Sequence, residues 1–165
     1  MTNINIISAC NNNCKYCFQK DNYANSKQIM SLKDVYDAMD WASDSNIIGI
    51  TGGEPTLHPD IAKIVEKADN TFDSQMIFTN LLCNIDLIDK LVSLAPKMYW
   101  MVNSTIDDDK MRFFEENLAF LNKTVPQPFS LGVTFTGDLE YDNKNIEKVT
   151  YLTKKYNKVC VVRYT

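Results

Sequence analysis

The sequence predicts an α/β fold: a parallel sheet covered by helices. Three observations predict it. Short apolar runs alternate with amphipathic stretches along the whole chain. The runs stand roughly 25–45 residues apart, the length of a βαβ unit. They carry apolar residues on both sides, as strands buried on both faces do. Composition agrees: 165 residues, 45% hydrophobic and 23% charged, with only 5 Gly and 5 Pro, describe a globular chain with one core and exclude a collagen-like or disordered one. We read residues 1–165 as a single domain.

The first strand is expected over Ile4-Asn5-Ile6-Ile7-Ser8. Ser31, with Asp34 three residues later, has the form of a helix N-cap and capping box, and Leu32, Val35, Met39 and Ala42 follow at helical spacing. Ile47–Thr51 gives the second strand, leading into a Gly-Gly turn and then Pro59-Asp60, after which Ile61, Ile64, Val65 and Ala68 form a helical stripe. Met76–Thr79 is the third strand; Ile85, Ile88, Leu91 and Val92 mark its helix, which Pro96 closes. Strand four is Met98–Val102, with Met111, Phe114, Leu118 and Leu121 on the helix after it. Strand five is Phe129–Phe135, followed by Ile146, Val149 and Leu152. Strand six is Val159–Tyr164. No repeat, linker or low-complexity tract interrupts this series.

Charge and composition narrow the function. A formal charge of −4, from 17 Lys+Arg against 21 Asp+Glu, argues against nucleic acid or an anionic membrane as the main partner. No apolar run reaches the ~18–20 residues of a membrane helix, and the start Met1-Thr2-Asn3-Ile4-Asn5 lacks a basic n-region. Five cysteines cannot all pair, and three of them crowd into eight residues, which suits a metal centre in a reducing compartment. The expected location is the cytoplasm.

Parallel α/β sheets place ligands at the carboxyl ends of their strands, and here those ends are polar. Strand one is followed by the cysteines and strand two by Thr51-Gly52-Gly53-Glu54. Strand three ends in Thr79-Asn80, and strand four in Asn103-Ser104-Thr105 with Asp107. Strand five ends with Thr134, Thr136 and Asp138, and Arg163 and Thr165 sit on strand six. Cys10, Cys14 and Cys17 form CxxxCxxC, three soft ligands on one loop. A tetrahedral zinc site asks for a fourth ligand, and the lone His58 and the remote Cys83 and Cys160 supply no paired knuckle. An iron–sulfur cubane normally takes four cysteines, so three leave one iron open as a reaction site. Gly52 and Gly53 permit a turn with φ > 0 and close approach to a ligand. Main-chain groups there and Glu54 can hold an ammonium through charge-assisted bonds, and Pro55 fixes the exit. His58 reads as a loop or cap residue, and Cys83 and Cys160 as structural thiols.

Cys10-Asn11-Asn12-Asn13-Cys14-Lys15-Tyr16-Cys17 resembles the signature of the radical SAM enzymes, and Gly52-Gly53-Glu54-Pro55 resembles that family's GGEP motif. Thr56-Leu57-His58-Pro59-Asp60 continues in a spelling frequent in the family. Thr79-Asn80 resembles its TNG, with Leu81 where glycine is expected. The resemblance covers the whole chain and implies a partial (β/α)6 TIM-like barrel with helices outside. It implies that Cys10, Cys14 and Cys17 hold a [4Fe–4S] cluster whose open iron binds S-adenosylmethionine. Reductive cleavage of that ligand would give a 5′-deoxyadenosyl radical that removes hydrogen from a peptide or small metabolite. It further implies Tyr16 near the adenine, Asn80 at the site, Asn103 and Thr105 on the ribose or carboxylate, Arg163 on the carboxylate, and reduced flavodoxin or ferredoxin as electron donor. Two other readings stand beside it: an activase of a glycyl-radical enzyme, and a zinc-binding structural domain. A flavodoxin-like nucleotide fold is disfavoured because cysteines occupy its phosphate-loop position. Strand six reaches Thr165 with no helix after it and no further cysteine-rich region follows, so a fragment truncated after strand six is expected over a minimal enzyme, with an uncovered apolar flank.

Overall fold

The computed structural model describes residues 1–17, 28–103 and 108–164. Six parallel strands lie in sequence order: β1 (Thr2–Asn5), β2 (Ile47–Thr51), β3 (Ser74–Thr79), β4 (Met98–Asn103), β5 (Phe129–Phe135) and β6 (Val159–Tyr164). Helices α1 (Leu32–Trp41), α2 (Ile61–Thr71), α3 (Ile85–Leu94), α4 (Asp108–Thr124) and α5 (Leu139–Tyr156) separate them. This is the expected α/β partial barrel. Ser31 caps its helix as the sequence suggested, and Asn84 and Asp138 do the same for two later helices: their side chains accept from the N–H of Asp34, Asp86 and Tyr141 respectively. At Ser31 the hydroxyl also donates to Asp34 Oδ2 at 2.7 Å, so the capping pair closes side chain to side chain. Asn157, at φ +51, ends α5 in the left-handed region.

Helices cover one face of the sheet. Ile4, Ile48, Ile50, Ile77, Trp100, Val102, Leu131 and Val133 pack there against Val35, Met39, Ile64, Ile88, Leu91, Phe114, Leu118 and Leu152, all buried. The strands carry apolar residues on their other side too, as the sequence reading noted, but that side is less fully buried. β3 alternates half-buried and buried residues along its length. The half-buried set (Met76, Phe78) shares a face with Tyr99, Asn103, Gly132 and Arg163 through the strand register. That second face is concave, polar and aromatic, and no described helix lies on it. Apolar length in these strands reflects Met, Phe and Tyr lining a cleft as well as aliphatics filling a core.

Most boundaries agree with the sequence, and β1 departs most. It occupies Thr2–Asn5, earlier than expected, because the next backbone groups are taken elsewhere: Met30 N–H donates to Ile6 O (3.0 Å), Ser8 N–H to Gln28 O (2.9 Å) and Gly53 N–H to Ile7 O (2.7 Å). Ile85 and Ile146, placed on apolar stripes by spacing, are 38% and 42% exposed, so α3 and α5 bury narrower faces than their sequences suggest. On the last strand Val159 and Val162 are exposed. Among the described residues no helix is long and apolar enough to cross a membrane.

Candidate functional site

The cysteine loop is stitched to the diglycine bend by backbone. Gly53 N–H donates to Ile7 O and Glu54 N–H to Ala9 O at 2.9 Å. The two glycines permit this contact: a Cβ on Gly52 would stand 2.5 Å from Ile7 O, and one on Gly53 2.5 Å from Ser8 O. As glycines they could also have taken a positive φ and a close approach to a ligand. Neither has a positive φ, and the group they admit so closely is the backbone leading to Cys10. That backbone contact fixes the loop against the end of β2 before any ligand arrives.

Glu54 has a structural role that its sequence reading did not include. Its side chain is 1% exposed and is met by protein donors. Oε1 accepts from Thr56 N (3.1 Å), Thr56 Oγ1 (2.7 Å) and Thr79 Oγ1 (2.8 Å), and Oε2 accepts from Asn80 N (2.7 Å). Burial pushes its carboxyl above the ordinary range despite those donors, each of which pulls it down. The carboxylate therefore bolts the end of β2 to the end of β3, and only Oε2, with one donor among the described residues, keeps capacity for a further partner. Pro55 opens a 3-10 turn, Pro55–Leu57, and is buried.

Asn80 joins the three segments. Its N–H meets Glu54, its Nδ2 donates to Asn11 Oδ1 (2.8 Å) and lies 3.8 Å from Cys10 Sγ, and its Oδ1 accepts from Leu82 N (2.9 Å). Asn11 Nδ2 in turn donates to Leu82 O at 2.6 Å. Leu81, at the family's glycine position, adopts φ +60, so the turn keeps the left-handed geometry that glycine normally supplies.

The thiols sit in a field of weak donors. Asn12 N–H lies 3.4 Å from Cys10 Sγ and Asn12 Nδ2 3.2 Å from Cys14 Sγ, and the Tyr16 hydroxyl bonds Cys14. Desolvation pushes Cys10 and Cys14 above the ordinary thiol range; the charge of Glu54 and then of Cys17 add to Cys10, and the charges of Cys10 and Cys17 add to Cys14. The three cysteines are thus close enough to oppose one another's ionisation, a repulsion that a cationic cluster relieves. Among the described residues no three His, Cys, Asp or Glu side chains converge as a single metal ion requires. Three thiols on one loop, with no fourth ligand beside them among the described residues, suit a cubane with one open iron better than a closed tetrahedral zinc site. Outside the loop, Lys110 Nζ reaches Asn11 O (3.2 Å) and Asn12 Oδ1 (3.0 Å). Lys15 pairs with Asp138 and holds its carboxyl below the usual range. Tyr16 meets Tyr141 edge-on at 6.4 Å.

Across the concave face, Arg163 Nη2 donates to Asn103 Oδ1, bringing together two of the expected site residues. Tyr16 feels the Arg163 charge, so the strand-six arginine approaches the cysteine loop. Thr105, with Ser104, Asp107 and Thr165, lies outside the described residues. His58 is the cap residue expected: Nδ1 accepts from Asp60 N (3.1 Å) and Nε2 bonds Met30 O (2.9 Å). Cys83 is buried, its thiol pushed up to about 12 by desolvation and then by Glu54. Cys160 packs half-buried against the core. Sequence reasoning overlooked Asn11, Asn12 and Gly132. Asn11 and Asn12 lie inside the quoted motif, where the cysteines drew all the attention, and Gly132 carries no local signal within its strand.

The family model of the radical SAM superfamily matches residues 4–124. Over 78 residues the chain is 35% identical to an S-adenosylmethionine-dependent nucleotide dehydratase of Selenomonas ruminantium, covering 47% of this chain and 28% of that protein. Over 119 residues it is 24% identical to GTP 3′,8-cyclase 1 of Mycobacterium tuberculosis, covering 66% and 33%. Among solved structures, Streptococcus suis SuiB bound to S-adenosylmethionine superposes with a TM-score of 0.77 at 16% identity, over 99% of this chain and 40% of SuiB. SuiB bound to its precursor peptide SuiA gives 0.78, also at 16% identity, over 99% and 38%. The chain therefore spans about a third or less of the curated relatives it matches. The cysteine loop, the diglycine bend stitched to it and the partial barrel that carries both place this chain in the radical SAM superfamily, whose cofactors are a [4Fe–4S] cluster and S-adenosylmethionine.

Proposed function

We propose that residues 1–165 form a radical SAM core domain in which Cys10, Cys14 and Cys17 hold the cluster and the ends of β2, β3, β4 and β6 hold S-adenosylmethionine. The loaded cofactor pair supplies reductive cleavage of the sulfonium, yielding a 5′-deoxyadenosyl radical that takes a hydrogen atom from substrate. This chain's residues bind and orient. Asn12, Tyr16 and Asn80 steady the thiolates with N–H and O–H donors. The main chain of Gly52 to Glu54, with Oε2 of Glu54, faces the methionyl ammonium, while Asn103 and Arg163 face its carboxylate or ribose. Thr105 belongs to the same proposed set. The substrate is a peptide or a small molecule, and reduced flavodoxin or ferredoxin is the electron donor.

One observation carries this reading: the backbone bonds from Gly53 and Glu54 to Ile7 and Ala9 hold the cysteine loop against the diglycine bend, so that the thiols and the ligand-binding bend share one mouth. The test is anaerobic reconstitution with iron and sulfide. The chain is expected to take up about four irons and four acid-labile sulfides and, once reduced, to release 5′-deoxyadenosine, with Cys14→Ala losing both. One zinc without sulfide, or a loaded cluster that leaves the sulfonium intact, would overturn it.

A further inference from the structure

Gly132 lies in the middle of β5, opposite Asn103 of β4 and Val161 of β6. Strand alternation puts Asn103, Gly132 and Arg163 on the concave face. Arg163 is registered with Thr134, one step further along the sheet, yet its Nη2 reaches back over β5 to Asn103 Oδ1. It can do so because position 132 has no side chain. A Cβ there would overlap Arg163 Nη2 and stand 2.5 Å from Asn103 Oδ1, closing the lane between the outer strands.

The arginine is incompletely matched. Its Nε is enclosed and has no acceptor, and no carboxylate among the described residues pairs with the guanidinium. Asn103 contributes a neutral oxygen, which fixes the side chain without cancelling its charge. Arg163 is also the one charged residue on the concave face of the described strands. A half-buried guanidinium anchored by a neutral amide and paired with no carboxylate among the described residues keeps its charge for an oxyanion that approaches its exposed side.

We propose that Gly132 is a positioning residue. It leaves the lane through which Arg163 lies against Asn103, and the pair then binds an oxyanion of a ligand on the concave face. This rests on the function proposed above. Two ligands carry that chemistry: S-adenosylmethionine through its carboxylate, and an anionic substrate through a phosphate.

The test uses the full chain, anaerobically reconstituted, and two ligand pairs in equilibrium dialysis: S-adenosylmethionine against its decarboxylated analogue, and GTP against guanosine. Gly132→Ala and Arg163→Gln should each weaken the anionic member of one pair by about tenfold or more and leave its uncharged partner within about twofold. The double variant should be no weaker than Arg163→Gln alone. Loss in the first pair assigns the oxyanion to the cofactor; loss in the second assigns it to substrate. The proposal is overturned if neither anionic ligand weakens, if the decarboxylated or uncharged partner weakens equally, or if Gly132→Ala adds its own loss to Arg163→Gln. Should Gly132→Ala fail to fold, Arg163→Gln and Arg163→Lys, which stress no backbone, still decide whether the guanidinium reads an anion. Iron and sulfide content of the parent chain is read separately. Absence of a cluster there sinks the radical reading, whereas a loaded cluster with binding indifferent to Arg163 sinks this one.

Discussion

Leu81 tests whether the family geometry at the end of β3 is imposed by its surroundings. It is fully buried at φ +60, a region where a Cβ crowds the backbone at about 1–2 kcal/mol. Thr79 Oγ1 accepts its N–H at 2.9 Å, and Asn117 Nδ2 donates to its carbonyl at 2.8 Å. Both backbone groups are therefore pinned, and the residue cannot relax to negative φ without breaking them. Leu81→Ala removes buried side chain and keeps the strain, costing about 3–5 kcal/mol. Leu81→Gly removes one carbon more, worth about 0.8 kcal/mol, but releases the strain, so it should be as stable as the alanine variant or up to about 1 kcal/mol more stable. Leu91 supplies the contrast, since it is equally buried within a regular helix. There glycine should fall about 1–2 kcal/mol below alanine from the lost propensity and methyl. Urea unfolding of the four variants, read as midpoint and slope, gives both differences. A Leu81→Gly protein that falls below Leu81→Ala by the same margin as at Leu91 would refute a strained left-handed turn.

Three further outcomes follow from the site. Glu54→Gln replaces an oxygen with a donor that must face either Asn80 N or the group that meets Oε1. It should cost about 2–3 kcal/mol in urea unfolding, and an unchanged midpoint would remove the bolt between β2 and β3. The Cys83 thiol, pushed up to about 12, should resist iodoacetamide at pH 8.5 in the folded chain and react on unfolding, as mass spectrometry of the labelled protein can follow. Because its folded pKa lies above the unfolded value of about 8.5, its stabilising contribution is intact below that pH and is lost as pH rises towards 12. Asp142→Ala frees the N–H groups of Thr136 and Gly137, now held at 3.0 Å each. It should destabilise the chain by about 2 kcal/mol; a change within experimental error would show that the turn into α5 does not depend on that carboxylate.

The legible parts of this molecule are those in which one residue type has one local consequence. Ser31 starts its helix because a short side-chain acceptor at the cap satisfies a free N–H, and that relation is contained within four residues. β5 and β6 carry their expected boundaries for a similar reason, since runs dominated by apolar, aromatic and β-branched residues leave little choice. β1 moved because Ile6 and Ser8 form backbone bonds with Met30 and Gln28, partners far along the chain that no local pattern announces. Glu54 was read incompletely for the same kind of reason. Beside a diglycine it looks like a ligand for a cation, and only the folded chain brings Thr79 and Asn80 to its oxygens.

Glycine shows the limit most clearly. Gly52, Gly53 and Gly132 are identical in sequence terms, yet none uses the conformational freedom for which glycine is usually cited, since the one positive-φ glycine is Gly137. Each is instead required by what lies above its missing Cβ: the backbone of Ile7, the backbone of Ser8 and Ala9, and the Arg163–Asn103 pair. Leu81 is the converse, a side chain kept where the backbone favours none. Motif matching that scores glycine as glycine therefore credits Gly52 and Gly53 for the wrong property, faults Leu81 for a geometry it still adopts, and passes over Gly132. Whether a position tolerates a Cβ is set by the neighbouring strand or loop, so the site becomes readable only once the register of the sheet is known.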